Sequence, residues 1–289
     1  MSNSFAIIGG DLRTVKLVQK LAKDGNAVNI YGLEQAEELK NVPNIHLVGS
    51  LKEAIQLADI VIGPIPFSSN GVEINTPFSD KKITIRECMH AINAKVLIAG
   101  NLAPEVYELA NDEYVEIIDI MKREELAVLN TIATAEGAIE IAIANTSKIL
   151  HGSEVLVIGF GRIGKVISRK LVALSAKVTC ADKKDAELAW IKAFGYEGVN
   201  INSLGSSLEK YDIIVNTVPA LILTKERLQY VKDDCLLIDL ASNPGGIDRE
   251  ETKKRKLKLI WALALPAKVA PDTTAEFIKH TLYNIMKKI

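Results

Sequence analysis

The sequence contains little of what marks several classes of protein. Three of its 289 residues are cysteines, and aromatic residues make up 5% of the chain. Cys88, Cys180 and Cys235 lie far apart and are odd in number, so they fit neither a metal-binding cluster nor a disulfide framework. Cys180 and Cys235 lie within apolar runs, where we expect buried free thiols.

The chain also has no excess of charge and no long apolar run. Lys and Arg number 35 and Asp and Glu number 36, for a net charge of -1. This balance argues against nucleic acid as a partner. No run reaches about 18 apolar residues, so we expect no membrane span. The first residues lack the features of a signal peptide. We therefore expect a cytoplasmic protein.

What the chain does contain is an alternation of short β-branched runs with longer amphipathic stretches, which is typical of βα units on a parallel sheet. The strands predicted in the first half are Phe5–Ile8, Ala27–Tyr31, His46–Val48, Ile60–Ile62, Val96–Ala99 and Val115–Ile118. Those in the second half are Glu154–Ile158, Lys177–Ala181, Ile213–Asn216, Cys235–Asp239 and Lys258–Trp261.

These patterns predict an α/β fold of two doubly wound parallel-sheet domains, which is consistent with the length of the chain. We expect a flavodoxin-like domain over residues 1–128 and a Rossmann NAD(P)-binding domain over 129–268. A long helix, about Glu124 to Leu150, joins them. We expect a C-terminal helix, within 269–289, to pack back on the first domain.

A glycine motif follows the first strand of the second half. Gly159, Gly161 and Gly164 stand between the strand Glu154–Ile158 and a helical stretch, as the dinucleotide-binding fingerprint requires. The first glycine permits the tight turn, the second lets a pyrophosphate approach the backbone, and the third lets the helix pack on its strand. The intervening residues are Phe160, Arg162 and Ile163. The alternative is a tight turn without a ligand.

Asp182 ends the next predicted strand, 18 residues after Gly164. A carboxylate near this spacing binds the ribose hydroxyls of NAD. Lys183 and Lys184 follow it and, with Arg162, could hold the 2′-phosphate of NADP instead. We therefore expect both cofactors to be used. The alternative is that the lysines only begin a solvated helix.

Ligands of such sheets bind outside the carboxyl ends of the strands. In the second half, two further segments follow the carboxyl ends of predicted strands. Their residues are small and polar enough to lie along a nicotinamide and its ribose. Their candidate cofactor-binding residues are Thr217, Val218, Pro219, Ala241 and Ser242. The alternative is ordinary loop chemistry, since such residues are common in turns.

Loops in the first half are candidates for binding substrate at an interdomain cleft. Ser68, Ser69 and Asn70 follow the fourth predicted strand and could donate hydrogen bonds to a carboxylate. Gly9 and Gly10 follow the first strand, but no third glycine stands at the required distance. A second dinucleotide site is therefore not expected. A loop without a ligand remains the alternative for Ser68 to Asn70.

Glu136 lies in the long helix, within an apolar stripe that includes Ile132 and Ile139. A carboxylate on a packed face is costly unless it is paired or protonated, and burial would raise its pKa. Such a group suits a general acid or base, so Glu136 is the catalytic candidate. The alternative is a structural carboxylate.

Histidine is missing where a dehydrogenase of 2-hydroxyacids would need it. The chain has four histidines, and none follows a strand in a position that could form the site. Oxidation of a hydroxyl group normally uses a poised proton acceptor, most often histidine. This argues against a 2-hydroxyacid dehydrogenase despite the matching architecture.

Taken together, these segments resemble the family of the A subunit of dipicolinate synthase from spore-forming bacteria. The matching stretches occur in order over nearly the whole chain. They are Ile8–Asp11, Thr134–Gly137, His151–Ser153, Gly159–Gly164, Asn216–Pro219, Asp239–Gly246, Leu265–Pro266, Val269–Pro271 and Thr274–Ala275.

The resemblance implies an oxidoreductase that forms dipicolinate from dihydrodipicolinate, or its hydrated precursor, during sporulation. It implies NADP(H) as the cofactor, although Asp182 stands where NADPH-using relatives carry a small residue followed by Arg. It also implies a second, flavoprotein-like subunit, and we expect a homo-oligomer. Two substrate carboxylates need donors, which Thr134, Asn243 and Gly245 could supply with the Ser68 loop.

Two other functions remain open. One is an NAD(P)-dependent 2-hydroxyacid or amino-acid dehydrogenase, which would turn over simple keto acids. The other is a non-catalytic subunit that binds nicotinamide nucleotides and only supports its partner.

Overall fold

The computed structural model describes residues 3–288 of the chain. The chain divides into two compact units. The first unit consists of two segments, the chain up to Leu129 and the chain from Ala270 onward. The second unit spans Asn130–Val269.

The first unit is built on a six-stranded parallel sheet. Its strands are β1 (Ser4–Ile8), β2 (Ala27–Tyr31), β3 (Ile45–Leu47), β4 (Ile60–Ile62), β5 (Val96–Ala99) and β6 (Glu116–Asp119). Its helices are α1 (Leu12–Lys23), α2 (Leu51–Gln56), α3 (Ile85–Ile92), α4 (Pro104–Asp112) and the last helix, α11 (Pro271–Met286). The strand order is 3-2-1-4-5-6. If the edge strand β3 is left out and the remaining five strands are renumbered along the chain, the order becomes 2-1-3-4-5, which is the order in flavodoxin.

Helices cover both faces of this sheet, as a parallel sheet requires. Phe5 and Ile7 of β1 belong to one core, which includes Leu282 of α11. Ile8, on the opposite face, belongs to a second core with Met89 of α3. The alternation follows from the period of two in a strand. Helix α11 packs along α1, so the end of the chain completes the first of these cores.

The second unit repeats the architecture. Its strands are β7 (Glu154–Ile158), β8 (Lys177–Asp182), β9 (Glu197–Asn200), β10 (Ile213–Asn216), β11 (Leu236–Asp239) and β12 (Lys258–Trp261). Its helices are α6 (Arg162–Ala173), α7 (Asp185–Ala193), α8 (Lys225–Leu228), α9 (Arg249–Lys254) and α10 (Leu265–Val269). Counted from β7, the strand order is again 3-2-1-4-5-6, the order of dinucleotide-binding sheets.

One long helix, α5 (Glu124–Asn145), begins in the first unit and continues in the second. Leu126 lies in the first core of the first unit. In the part within the second unit, Ala135, Ala138 and Ala142 are buried in the core, and Ile139 and Ile141 pack against it while half-buried. Among residues 3–288, α5 is the one helix long and apolar enough to cross a membrane, a test that core helices of soluble proteins also pass.

The expected fold class is confirmed, because both sheets are parallel and doubly wound and a long helix links them. One strand, β9, was missing from the prediction. It lies at a sheet edge, its residues are half-buried or exposed, and Gly198 interrupts it, so it lacks a β-branched run. The buried free thiols expected at Cys180 and Cys235 are also confirmed. Burial raises the pKa of the Cys180 thiol to about 11.

Candidate functional site

The turn between β7 and α6 carries three glycines with three different environments. Gly159 has a φ of +92°, and a Cβ there would lie 2.4 Å from Thr217 Oγ1. A Cβ on Gly164 would lie 1.9 Å from the carbonyl oxygen of Gly159. Gly161 instead has no heavy atom within 4 Å of a Cβ position. The outer glycines are therefore needed for the turn and the helix contact. The middle one leaves the space that a pyrophosphate needs to approach the backbone.

The helix that follows presents unsatisfied donors to this space. Gly161 is the N-cap residue of α6, and no side chain caps the helix. The first N–H groups of a helix have no partner within it, and they carry the positive end of the helix dipole. Arg162 begins the helix and is exposed, whereas Ile163 packs against the core of the second unit. This arrangement suits a pyrophosphate.

Phe160 fixes the turn to the neighbouring strand. Its ring is fully buried, with its centroid 6.0 Å from the rings of both Phe194 and Tyr196. Its backbone N–H donates to Asp182 Oδ2 at 2.8 Å. The side chain of Phe160 is therefore structural, and its backbone connects the glycine turn to β8.

Asp182 ends β8 beside the glycine turn, as the spacing predicts. Asp182 is 9% exposed, and its Oδ1 accepts a hydrogen bond from the backbone N–H of Lys184 at 3.0 Å. Phe160 and Lys184 use two of the roughly four acceptor positions of the carboxylate, which leaves capacity for ribose hydroxyls. Lys183 is exposed next to it. The carboxylate favours a ribose 2′-hydroxyl, and the lysine supplies charge that favours a 2′-phosphate.

The segment after β10 reaches the same turn. Thr217 Oγ1 donates to the carbonyl oxygen of Ile158, the last residue of β7, at 3.0 Å. Val218 is half-buried and Pro219 is exposed. Thr217 thus closes the turn from the other side, and the two following residues lie at the carboxyl edge of the sheet.

The loop after β11 has a buried base and an exposed tip. Ala241 is buried, whereas Ser242 and Asn243 are exposed. Gly245 has a φ of +85°, and a Cβ there would lie 2.8 Å from Asp239 Oδ2. The tip can therefore contact a ligand, whereas Gly245 is required by close packing on Asp239.

Two buried polar residues that hold this loop were not among the predicted site residues. Asn216 Nδ2 donates to Asp239 Oδ1 at 2.8 Å, joining the ends of β10 and β11. Asp239 also accepts from the N–H groups of Ala241 at 3.1 Å and Gly246 at 2.7 Å. Each residue is a polar side chain that ends an apolar strand, and that pattern is visible in the sequence.

The structure contradicts the buried position expected for Glu136. Its side chain is 57% exposed, and Oε1 accepts a bond from Lys170 Nζ at 2.8 Å. The fully buried members of the core on this part of α5 are Ala135, Ala138 and Ala142, and Ile139 packs against them while half-buried. Ile132 and Ile143, also in the predicted stripe, are 37% and 60% exposed. The predicted apolar stripe is therefore centred on the wrong face of α5, because the residues that pack most closely are the small alanines.

The position of Glu136 also removes the basis for its catalytic role. Its partner Lys170 lies eight residues after Arg162 in α6, about 12 Å along the helix from the glycine turn. Thr134, the other predicted residue on α5, donates its hydroxyl to the carbonyl oxygen of Asn130. Both side chains therefore have partners on helices rather than at the carboxyl edge of the sheet.

The corresponding edge of the first unit is covered by its own loop. Gly9 has a φ of +58°, and a Cβ there would lie 2.5 Å from the carbonyl oxygen of Asn75. That same oxygen accepts the N–H of Gly10 at 2.9 Å. The loop after β4 thus occupies the space that a pyrophosphate would need, which explains why this turn is not a dinucleotide site.

The predicted substrate loop divides into a structural and an open part. Ser68 Oγ donates to the carbonyl oxygen of Glu73 at 2.6 Å and accepts the N–H of Gly71, so it serves the turn. Ser69 and Asn70 line a cavity of about 420 Å³ in the first unit.

Two family models match the chain, one in each unit. The N-terminal domain of the dipicolinate synthase A subunit matches residues 4–121. The NAD-binding domain of D-isomer-specific 2-hydroxyacid dehydrogenases matches residues 132–244, which include the glycine turn and most of the loop after β11. The protein is therefore of the oxidoreductase class, with a nicotinamide-nucleotide-binding domain of dehydrogenase type.

Similar proteins share both units. The A subunit of dipicolinate synthase from Bacillus subtilis is 29% identical over 98% of this chain and 96% of its own length. The crystal structure of the B. subtilis protein has a TM-score of 0.90 at 28% identity, covering 100% of this chain and 97% of that one. The structure from Bacillus halodurans has a TM-score of 0.89 at 29% identity, covering 98% and 97%. This chain is thus similar over nearly its whole length to the A subunit of dipicolinate synthase, as its motifs predicted.

Proposed function

We propose that this chain oxidises dihydrodipicolinate, or its hydrated precursor, to dipicolinate (pyridine-2,6-dicarboxylate). The ring loses two hydrogens, one as a hydride and one as a proton, and the hydrated precursor also loses water. A nicotinamide nucleotide accepts the hydride. Because the product ring is aromatic, a weak proton acceptor is sufficient.

The match of the first unit to the dipicolinate synthase domain, over residues 4–121, carries this proposal. The nucleotide-binding domain alone would not, because dehydrogenases of many substrates share it. The substrate is therefore inferred from the unit that is specific to these relatives.

The nucleotide would be held by this chain's own residues at the carboxyl edge of the second sheet. The open space at Gly161 and the uncapped start of α6 fit its pyrophosphate. The free acceptor positions of Asp182 fit a ribose. Thr217 and Ala241 would border the nicotinamide side. We infer that both NAD and NADP serve, because Asp182 and Lys183 favour different nucleotides.

The positions of the histidines favour this reaction over oxidation of a hydroxyl group. All four lie within the described part of the chain, and none stands at the carboxyl edge of the second sheet. They are His46 in β3, His90 in α3, His151 before β7 and His280 in α11. A reaction driven by aromatisation does not need the poised histidine that oxidation of a hydroxyl group normally uses.

We further infer the setting from the relatives. The chain would act in the cytoplasm of a sporulating bacterium, as a homo-oligomer, together with a second, flavoprotein-like subunit. Its three thiols are buried and free, which suits a reducing compartment.

The test is to follow dipicolinate by its ultraviolet absorbance, with dihydrodipicolinate and NAD or NADP as reactants. We expect one nicotinamide reduced for each dipicolinate formed, by this chain alone or after addition of the second subunit. The Gly161→Val variant is the matched control and should be inactive. Reduction of pyruvate by NADH or NADPH, without any dipicolinate formation, would show a dehydrogenase of another substrate. Nucleotide binding without turnover in either mixture would show a non-catalytic subunit.

A further inference from the structure

The loop after β11, residues 240–246, has a fixed backbone and a free tip. At its base, Asp239 accepts the N–H groups of Ala241 and Gly246. At the tip, Ser242 and Asn243 are exposed, and their side chains have no hydrogen bond with another residue among 3–288. A loop whose backbone is fixed while its polar side chains are free can bind a ligand with little further loss of conformational entropy.

Trp261, the last residue of β12, holds one side of this tip. Its indole Nε1 donates to the carbonyl oxygen of Ala241 at 2.8 Å, and the side chain is half-buried. A Cβ on Gly245 would lie 3.7 Å from its Cε2, which is an ordinary van der Waals distance. The indole ring therefore lies beside the loop as well as bonding to it.

Arg249, the first residue of α9, holds the other side of the tip. Its Nη2 donates to the carbonyl oxygen of Pro244 at 3.2 Å, and its guanidinium carbon lies 3.3 Å from the centroid of the Trp261 ring. A guanidinium over the face of an indole is a favourable cation–π contact. The two side chains thus support each other, and they bond the carbonyl groups on either side of Ser242 and Asn243.

This loop belongs to the half of the sheet that suits the nicotinamide. A dinucleotide-binding sheet of this order consists of two halves, each of which binds one mononucleotide. The glycine turn and Asp182 mark β7–β9 as the adenosine half, so β10–β12 form the other half. The free groups of the tip are a hydroxyl and a primary amide, which both donate and accept hydrogen bonds. They are therefore complementary to the carboxamide of a nicotinamide.

We propose that Trp261 and Arg249 are positioning residues for the nicotinamide, because they fix the tip that binds its carboxamide. They act through the loop and do not touch the nucleotide themselves. The inference rests on the nicotinamide cofactor of the proposed function, but not on its substrate. Loosening the tip should therefore weaken binding of the nicotinamide half of the nucleotide and leave binding of the adenosine half unchanged.

The first test measures binding of NADH and NADPH by calorimetry, each against ADP-ribose or its 2′-phosphate, which lack the nicotinamide. Trp261→Phe keeps an aromatic ring beside Arg249 but removes the Nε1 donor. We expect it to weaken binding of the reduced nucleotides about threefold to tenfold, the range for one hydrogen bond, and to leave the ADP-ribose probes unchanged. Trp190→Phe is the control, because Trp190 is a 52% exposed residue of α7, and it should change neither affinity.

The second variant, Arg249→Lys, keeps the charge but not the planar guanidinium that stacks and donates at once. It should show the same selective loss. Arg255→Lys is a matched control, because Arg255 stands at the other end of α9 and its Nη2 also donates to a backbone carbonyl oxygen, that of Val231, before β11 begins. Because Trp261 and Arg249 act through one loop, the double variant should lose less affinity than the product of the two single losses.

The outcomes separate this inference from the proposed function. Equal losses for the reduced nucleotides and the ADP-ribose probes, or no loss for either, would overturn the positioning role and leave the function standing. A selective loss of the reduced nucleotides, in a chain that reduces pyruvate and forms no dipicolinate, would uphold the positioning role and overturn the proposed substrate. Absence of binding of NADH and NADPH to the parent chain would overturn both.

Discussion

The two units have the same strand order and opposite arrangements at the turn after their first strand. In the second unit the turn is open, and Gly161 has no neighbour within 4 Å of a Cβ position. In the first unit the loop after β4 lies on the turn, with Asn75 accepting the N–H of Gly10. The comparison shows that topology sets where a ligand can bind, whereas one loop decides which ligand fits there.

The largest expected effect concerns the open turn. Gly161→Val places a branched side chain where the pyrophosphate approaches, so nucleotide affinity should fall more than about 100-fold, or about 2.7 kcal/mol. The fold should persist, because that space contains no protein atom. Gly49→Val, at an exposed glycine of the first unit, is the control and should bind normally. Normal binding by Gly161→Val, measured by calorimetry, would mean that the open turn is not the nucleotide site.

The covered turn should respond in stability instead of binding. Gly9→Ala forces a Cβ to 2.5 Å from Asn75 at a φ of +58°, and should lower the free energy of unfolding by about 2–3 kcal/mol. Gly71→Ala is the control: its φ is also positive, but no atom lies within 4 Å, so about 1 kcal/mol is expected. Both should bind NADPH normally. If Gly9→Ala and Gly71→Ala lower the free energy of unfolding equally in denaturant titrations, the contact between the Asn75 loop and the Gly9 turn is not tight.

Two carboxyl groups, Glu34 in the first unit and Asp212 in the second, have a pKa lowered to about 2. Burial raises the pKa of Asp212, but bonds from Lys148 and Lys232 outweigh it and lower the pKa from 3.8. A lowered pKa in the folded state stabilises the protein above the unfolded-state value, and this is lost as the pH falls through the folded-state value.

Asp212→Asn should therefore lower the free energy of unfolding by about 2 kcal/mol at neutral pH. The difference from the parent chain should shrink as the pH falls below 3.8 toward about 2. Asp233→Asn, which removes a 93% exposed partner of Arg255, is the control and should cost under about 0.5 kcal/mol. A difference that does not change with pH in urea titrations would exclude this electrostatic contribution.

A smaller effect is expected on the choice of nucleotide. The parent chain should use NAD and NADP with values of kcat/KM within about 100-fold of each other. Asp182→Asn removes a charge that repels a 2′-phosphate but keeps an acceptor for the N–H of Phe160. It should shift the preference toward NADP about tenfold, or about 1.4 kcal/mol. Asp185→Asn, in α7, is the control. An unchanged ratio in steady-state kinetics would mean that Asp182 does not face the ribose.

The smallest effect is expected at Glu136. Its ion pair with Lys170 is exposed, so Glu136→Gln should change stability by less than about 1 kcal/mol. Turnover at saturating substrate should change less than about threefold, because the side chain lies well away from the glycine turn. Loss of about 100-fold in turnover by a folded variant is the scale of general acid–base catalysis and would restore Glu136 as the catalytic residue.

The elements with strong local signals were predictable. The buried parallel strands are nearly continuous apolar runs, and the glycine motif stands directly between β7 and α6, so both could be located without tertiary information. The edge strand β9 could not, because it is short, partly exposed and contains Gly198. Its pairing with β8 is what makes it a strand.

Residue roles were predictable where a backbone requirement fixes the residue type, and not where packing decides. Gly159 and Gly164 have no room for a side chain, so their identities are informative in the sequence itself. The exposure of Glu136 depends on which face of α5 is packed. The residues buried on that face are Ala135, Ala138 and Ala142. Helical periodicity alone could not distinguish the isoleucine stripe from the alanine stripe.

By itself, the sequence determined two parallel α/β sheets, the open nucleotide turn and the resemblance to the A subunit of dipicolinate synthase, because these depend on local patterns and residue types. Only the tertiary structure decided that Asn75 closes the other turn and that Asp239 holds the loop after β11. Each of these depends on contacts between residues far apart in the chain, whose distances no local pattern fixes.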